Sequence, residues 1–243
     1  MEAWGLTDPG NVREENQDAF RVERLGDNAL LAVVCDGMGG AKSGKVASRL
    51  ASEVFTEEVK RSFSPEMTAE ETERMLRSAV TLANISVFEH SQLSAEFDGM
   101  GTTLVACLIS GRGCQVLNVG DSRAYHVDAD GVTCVTTDHS VVELMVQRGE
   151  LTPEEAKSHP SKNIITRAVG TSPQVFSDVF RVELHRGDCL LLCSDGLSNQ
   201  MDDQEILFEI AHGARKEDCC QRLLDIAKDR GAPDNITTVL IAL

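Results

Sequence analysis

Short apolar runs alternate with amphipathic stretches along this chain of 243 residues. The run at 29–35 is too short for a helix, contains β-branched valines and leads into a glycine-rich turn, so it predicts a buried strand. After Ala41, apolar residues recur at spacings of three and four, which predicts an amphipathic helix. The positions that form this stripe are Val46, Ala47, Leu50, Ala51, Val54 and Phe55. A second helix is predicted over 68–93, and its inward positions are Met75, Ala79, Leu82 and Ala83.

The rest of the chain contains further strands and helices joined by short turns. Strands are predicted near Phe20 and at 102–109, 115–119, 123–127, 132–136, 174–183, 189–193 and 235–242. Helices are predicted to open near Thr152 and to span 203–211 and 216–230. Short gaps between neighbouring strands favour antiparallel meanders. Strands flanked by paired helices fit an α+β fold, a four-layer α-β-β-α sandwich of two antiparallel sheets with helices on their outer faces. We expect residues 1–243 to form a single domain.

Charge and composition exclude several classes of partner. The formal net charge is −16 and no block of Lys and Arg is present, so we expect neither nucleic acid nor an anionic membrane as a partner. No apolar stretch approaches the ~20 residues that span a bilayer. The N-terminal residues lack the basic and apolar segments of a secretory signal. We therefore expect a cytoplasmic protein whose eight cysteines are reduced.

Three apolar runs end at an aspartate that neighbours a glycine. These acids are Asp36, Asp121 and Asp195, and two more, Asp18 and Asp234, stand just before predicted strands. A single Asp-Gly pair usually marks a turn, but five carboxylates at strand boundaries are harder to explain in this way. If the strands share one end of a sheet, the carboxylates converge and their charges require cations. Oxygen ligands without a His or Cys cluster favour Mg²⁺ or Mn²⁺, and two such ions roughly 3.5–4 Å apart are the arrangement with which phosphatases activate water.

Seven short segments, taken in their order along the chain, carry a resemblance to a known family. They are Arg13-Glu14-Glu15-Asn16-Gln17-Asp18, Asp36-Gly37-Met38-Gly39-Gly40, Gly101-Thr102-Thr103, Gly120-Asp121-Ser122-Arg123, Asp138-His139-Ser140, Ser194-Asp195-Gly196-Leu197 and Asp234-Asn235. Together they resemble the PPM (PP2C-like) family of metal-dependent serine/threonine protein phosphatases, and the small size is similar to the bacterial branch. The resemblance covers essentially the whole chain. One of these segments alone would be weak evidence for the family.

The resemblance implies a role for each matching residue. The groups that would hold two central Mn²⁺ or Mg²⁺ ions are Asp36, the carbonyl of Gly37, Asp195 and Asp234. Asp18 would contact these ions directly or through water, and Asp121 would help to hold a third, weaker ion. Arg13 matches the phosphate-binding arginine of the family, and a guanidinium suits that role because it can grip two phosphoryl oxygens at once.

The implied reaction is hydrolysis of phosphoserine and phosphothreonine in proteins by in-line attack of a hydroxide that bridges the two metals. Its catalytic set is Arg13, Asp36 and Asp195. Many eukaryotic members have a histidine directly after the Asp-Gly pair, whereas this chain has Met38, which cannot donate a proton. Metal-bound water is then the first candidate for the acid that protonates the leaving oxygen, and His139 is the second, because it is better suited to ordering its own loop.

Residues 148–170 resemble the mobile flap of bacterial members, which lies near the site and contacts protein substrates. The expected partners are phosphorylated proteins and a bacterial Ser/Thr kinase that the enzyme opposes, and we expect a monomer. The alternatives are a non-catalytic phosphoprotein-binding module, an enzyme restricted to phosphorylated anti-sigma antagonists, and a calcium-binding structural domain. The presence of every expected acid counts against the first, and the lack of an EF-hand loop counts against the third.

Overall fold

Two antiparallel sheets lie face to face in the computed structural model, which describes residues 1–40, 42–111, 113–213 and 215–243. The strands of the first sheet, in spatial order, are β1 (Glu2–Asp8), β11 (Ile236–Ala242), β10 (Cys189–Cys193), β7 (Arg123–Val127) and β8 (Val132–Cys134). The strands of the second are β2 (Asp18–Arg24), β3 (Leu30–Met38), β5 (Leu104–Ser110), β6 (Gly113–Val119) and β9 (Asp178–Val182), with β4 (Gly101–Thr102) paired to the end of β3.

Two pairs of helices cover the outer faces of the sheets. The second sheet is covered by α1 (Ser43–Ser62) and α2 (Ala69–Ser91), and the first by α6 (Asp203–His212) and α7 (Cys219–Asp229). The shorter helices are α3 (Val141–Gln147), α4 (Pro153–Ser158) and α5 (Asp195–Ser198). The predicted four-layer α-β-β-α sandwich is therefore confirmed. Among the described helices, none is long and apolar enough to cross a bilayer.

The side chains between the sheets follow the two-residue alternation of the strands. On β3, Leu30, Ala32 and Val34 enter the layer between the sheets, whereas the intervening residues pack under α1 and α2. The matching residues of β10 and β11 are Leu190, Leu192, Val239 and Ile241. We call this layer of side chains the intersheet layer. Each fully buried leucine in it stabilises the fold by about 1.5–3 kcal/mol.

The long helices form where the apolar stripes predict them. Helix α2 begins after Thr68, whose hydroxyl accepts from the backbone N–H of Glu71 (3.2 Å) while the Glu71 carboxylate accepts from the N–H of Thr68 (2.8 Å). This reciprocal cap contributes about 1 kcal/mol and fixes the start of the helix. The prediction for Leu82 is wrong, because its side chain is 39% exposed and faces away from the sheet. Ala41, where the first helical pattern begins, lies outside the described residues.

The meander prediction fails between β6 and β7, which belong to different sheets. The chain crosses from one sheet to the other at Gly120, whose φ of +111° lies in the region that favours glycine. Strand β1 was not predicted, because its inward face carries the small or polar residues Gly5 and Thr7 instead of an apolar run. Gly5 fits the fold closely, since an added Cβ would lie 2.3 Å from the ring of Phe20.

Candidate active site

Two aspartates on neighbouring strands form the polar end of the intersheet layer. Asp18 is the first residue of β2 and lies directly opposite Asp36 on β3. Strand alternation places Asp36 on the same face as Val34, and Asp18 on the same face as Phe20. Asp36 lies within β3, since the strand continues past the predicted end at residue 35. The apolar face of each strand therefore ends in a carboxylate.

Asp18 is almost completely buried and is held on one side only. Its Oδ2 accepts hydrogen bonds from the hydroxyls of Ser194 (2.8 Å) and Thr237 (2.7 Å). Its Oδ1 is buried and has no hydrogen-bond partner among the described residues. A buried carboxylate oxygen without a partner carries a large desolvation cost, so this atom fits a ligand for a cation.

The other sheet contributes Asp195 and Asp234. Asp195 follows β10, and its Oδ2 accepts from the side-chain amide of Asn199 at 2.9 Å, while its Oδ1 is buried without a partner in the described part of the chain. Asp234 stands just before β11, and its Oδ2 accepts from Nη2 of Arg13 at 2.8 Å. Convergence of these acids was expected at one shared sheet end. The carboxylates instead converge from matching ends of two facing sheets, because β3 and β10 belong to different sheets.

The closeness of these acids to one another affects their pKa values. The pKa of Asp18 is raised to about 7, first by loss of solvation and then by the charges of Asp195 and Asp234, while its two hydroxyl donors oppose the rise. Burial also raises the pKa of Asp36 well above its ordinary value, with added repulsion from the other four acids. The pKa of Asp195 is raised by burial and by the charge of Asp234. Such a group of like charges is stabilised by a bound cation.

The glycines of the Asp36-Gly37 and Asp195-Gly196 pairs allow close packing, and neither has a positive φ. A Cβ on Gly37 would lie 2.1 Å from the carbonyl oxygen of Gly44, and one on Gly196 would lie 1.9 Å from that of Asn235. Backbone therefore packs on backbone at both positions. Close packing, rather than a left-handed backbone, therefore accounts for the glycine at both positions.

Asn235 fixes the loop that carries Arg13. Its amide nitrogen donates to the carbonyls of Pro9 (3.0 Å) and Glu15 (3.1 Å), and its side-chain oxygen accepts from the backbone N–H of Gln17 (2.8 Å). The Asn235 side chain is buried, so these bonds are shielded from water. The loop thereby brings Arg13 to Asp234.

Asp121 lies on the crossing between the two sheets. Its pKa is raised to about 8, mainly by burial and then by the charges of Asp195 and Asp138. The preceding N–H, of Gly120, donates to Nδ1 of His139 at 3.1 Å. The opposite ring nitrogen therefore carries the proton, and it donates to Asp178 at 3.0 Å.

His139 is thus buried with both ring nitrogens engaged, and burial lowers its pKa. This environment supports the expectation that His139 orders a loop.

An open cleft of about 250 Å³ lies above the acids. Of the residues predicted for the site, Arg13, Asp36, Gly37, Asp121, Asp195 and Asp234 line the cleft, and Asp18 lies outside its lining. Met38, Asn163 and Ile165 also line it, and the last two come from the segment predicted as a flap. Neither was predicted as a site residue, since a lone Asn and Ile in a long connection carry no recognisable signal. Among the described residues that line the cleft there is no histidine.

The side chains of the site offer oxygen donors to divalent cations, although several of these donors are already paired. In the described part of the chain, no three His, Cys, Asp or Glu side chains are arranged closely enough to hold a metal ion as they stand. Asp234 is bound to Arg13 and Asp195 to Asn199. The partnerless oxygens of Asp18 and Asp195 and the mutual repulsion of the acids nevertheless match the donor set that hard cations require. Gathering them around ions needs rotation of side chains, while the backbone already brings them together.

The chain is similar to known proteins in sequence and in fold. The family model of protein phosphatase 2C matches residues 11–240. The serine/threonine phosphatase stp of Listeria monocytogenes is 35% identical over 241 residues, which are 99% of this chain and 95% of that protein. The structure of the Streptococcus agalactiae serine/threonine phosphatase superposes with a TM-score of 0.93 at 34% identity and covers 100% of this chain and 99% of that one.

A structure of the catalytic domain of the serine/threonine protein phosphatase PstP, in complex with two manganese ions, superposes with a TM-score of 0.84 at 31% identity and covers 98% of this chain and 96% of that one. These similarities extend over the whole length of the chain. The chain therefore belongs to the protein phosphatase 2C family, which confirms the predicted resemblance and the predicted enzyme class, a protein-serine/threonine phosphatase.

Proposed function

We propose that this chain hydrolyses phosphoserine and phosphothreonine in proteins at a site for two divalent metal ions. The observation that carries the proposal is the pair of buried oxygens on Asp18 and Asp195 that have no partner among the described residues. The two acids come from different sheets, and Asp195 lines the cleft while Asp18 lies outside its lining. Family membership supports the same reaction, and the manganese complex of PstP supports the choice of cation.

Each acid then has a role that follows from its position. The groups that would hold the two central ions are Asp36, the carbonyl of Gly37, Asp195 and Asp234, with Asp18 behind them. Asp121, at the cleft wall, would help to hold a third ion. When bound, the ions supply an activated water and neutralise charge on the phosphoryl group. We take Mn²⁺ or Mg²⁺ as the cofactor, because all donors are oxygen atoms.

Arg13 is suited to bind the phosphoryl oxygens. Its side chain is 54% exposed at the cleft and is paired with Asp234, whose own side chain is 39% exposed. A guanidinium has five N–H groups, so Arg13 can keep its bond to Asp234 and still donate to a phosphate. The pairing to Asp234 raises the pKa of Arg13, and the side chain remains cationic at any physiological pH.

The cleft is open, which suits a phosphorylated side chain presented on a protein. Asn163 and Ile165 border it, and this supports the assignment of 148–170 as a flap that contacts substrate. The end of that segment is anchored, because Val169 bridges to Thr102 and Gly170 N–H donates to the Asn84 side chain at 2.7 Å. We propose that the chain acts as a cytoplasmic monomer on substrates of a Ser/Thr kinase.

The test is phosphate release from a phosphothreonine peptide by the full chain, with Mn²⁺ and with chelator, for the wild type and Arg13→Ala. We expect turnover only with Mn²⁺. Arg13→Ala should lower kcat/KM by about 10–100-fold, the effect of losing charge-assisted hydrogen bonds.

Arg181→Ala is a matched control, because Arg181 is 53% exposed and is paired with an exposed carboxylate, that of Glu70. Equal turnover in chelator would refute the metal site. Tight binding of the peptide without phosphate release in Mn²⁺ would instead indicate a phosphoprotein-binding module.

A further inference from the structure

A directed chain of hydroxyl groups ends on Asp18. Asn16 Nδ2 donates to Thr7 Oγ1 (2.8 Å), Thr7 Oγ1 lies 2.7 Å from Thr237 Oγ1, and Thr237 Oγ1 donates to Asp18 Oδ2 (2.7 Å). Ser194 Oγ donates to the same oxygen at 2.8 Å. We propose that Thr237 and Ser194 are positioning residues that determine which oxygen of Asp18 is offered to a divalent cation. The inference rests on the proposed function, since it assigns a role within the same metal site.

The direction of every proton in this chain is fixed by its neighbours. Thr237 donates its only hydroxyl proton to Asp18, so in its bond with Thr7 it must be the acceptor. The hydroxyl oxygen of Thr7 accepts from the side-chain amide of Asn16. Ser194 Oγ accepts from the backbone N–H of Thr237 at 2.9 Å, so its own proton goes to Asp18. Both donors therefore reach Oδ2, and Oδ1 remains the atom without a partner.

The network lies in the intersheet layer, where water cannot replace a lost donor. Ser194 and Thr237 are both completely buried, and Asp18 is 6% exposed. Hydrogen bonds in such surroundings are stronger and hold one geometry more rigidly than bonds in water. The residues come from both sheets: Asp18 lies on β2, whereas Thr237 lies on β11 and Ser194 directly follows β10. The network thereby ties the orientation of the Asp18 carboxylate to the facing sheet.

Loss of one donor would release this orientation. Partners that orient metal-binding side chains affect metal affinity by about 10–100-fold when they are removed. Thr237→Val keeps the shape of the side chain but removes the donor to Asp18 and the acceptor for Thr7. Thr237→Ser retains the hydroxyl and should retain the orientation.

The experiment is a calorimetric Mn²⁺ titration of the full chain, with thermal unfolding in chelator measured in parallel. We expect Thr237→Val to weaken Mn²⁺ binding by about 10–100-fold and Thr237→Ser to restore it. The matched control is Thr238→Val. Thr238 is the next residue on β11 and is equally buried, but it faces the helix side of the sheet and does not bind Asp18.

Wild-type Mn²⁺ affinity in Thr237→Val, or equal weakening in Thr238→Val, would overturn the positioning role while the proposed function stands. A wild-type chain that binds no Mn²⁺ would overturn both. If unfolding curves show that Thr237→Val does not fold, the Mn²⁺ affinity of Ser194→Ala tests the positioning role in its place. This substitution removes the other donor to Oδ2 and should also weaken Mn²⁺ binding, and unchanged affinity there would refute the proposal.

Discussion

The two ends of the intersheet layer differ in chemistry although the same strand faces build them. On β3 the face that carries Leu30, Ala32 and Val34 continues to Asp36, and on β10 the face of Leu190 and Leu192 continues to Ser194. The apolar end holds the sheets together by burial. At the other end the same alternation delivers carboxylates and hydroxyls from both sheets to one place. The site is therefore an extension of the core, and the strand faces of the core set its geometry.

The polar end destabilises the fold, whereas the apolar end stabilises it. Carboxylates that are buried close to one another repel, and each partnerless oxygen has lost its hydration. The apolar end stabilises by about 25 cal/mol for each Å² of apolar surface removed from water. The two ends should therefore respond in opposite ways to substitution, to pH and to added metal.

The largest effect is expected at the polar end, on activity. Asp36→Asn keeps the shape of the side chain but removes a charge that the cations require. Phosphatase activity with Mn²⁺ should fall by more than about 100-fold, the upper range for loss of a partner that merely orients a ligand. Thermal unfolding in chelator should show no loss of stability, because an amide does not take part in the repulsion among the acids. Activity near the wild-type value would show that Asp36 is an ordinary strand-end residue.

A substitution at the apolar end should affect stability and spare the chemistry. Leu192→Ala removes a completely buried side chain from the intersheet layer and should lower the free energy of unfolding by about 2–5 kcal/mol. Denaturant unfolding measures this loss, and kcat/KM at a temperature where the variant is folded should stay unchanged. Leu191→Ala is the control, since Leu191 is equally buried on the helix side of β10. A selective loss of kcat/KM in Leu192→Ala alone would show that the two ends are mechanically coupled.

The smallest effect is expected from pH. Burial raises the pKa of Asp18 to about 7 and that of Asp121 to about 8, so between the ordinary value of 3.8 and these values the folded chain binds more protons than the unfolded chain. The free energy of unfolding in chelator should then decrease as the pH rises from about 5.5 to about 8. We expect a fall in Tm of several degrees, since 1 kcal/mol corresponds to about 2–4 °C for a chain of this size.

Saturating Mn²⁺ should reverse this slope, because cations bind the ionised carboxylates and compete with protons. Asp121→Asn should flatten the profile in chelator, which separates the effect of the site from that of the net charge of −16. A Tm in chelator that rises over the same range would contradict the raised pKa values.

Much of the fold could be predicted because long apolar stripes and short apolar runs leave few choices. Strand β10 was predicted with its observed bounds, and α6 and β11 within one residue at one end. The assignment of strands to sheets could not be predicted. Nothing in the short turn at Gly120 shows that the chain leaves one sheet for the other, because the sheet that a strand joins is set by its pairing with distant strands.

The acids of the candidate site could be predicted, but the residues that hydrogen-bond to them could not. Asp36 and Asp195 follow apolar runs, and this signal is visible in the sequence alone. Thr237 and Asn199 carry no such signal, because threonine in a strand and asparagine after a short helix are common. Asn199 contacts Asp195 locally, four residues away, whereas Thr237 reaches Asp18 only because β2 and β11 face each other across the layer. Long-range pairing of this kind is set by tertiary packing and leaves little trace in local sequence.

The contact between Gly196 and the carbonyl of Asn235 has a consequence for the spacing of the site. A Cβ added to Gly196 would lie 1.9 Å from the carbonyl oxygen of Asn235, so the main chain next to Asp195 packs closely on the main chain next to Asp234. Their separation is a property of the backbone and tolerates no intervening methyl group. Folding thus fixes the separation of the backbone at Asp195 and Asp234, the two acids that we propose as ligands, independently of any bound ion.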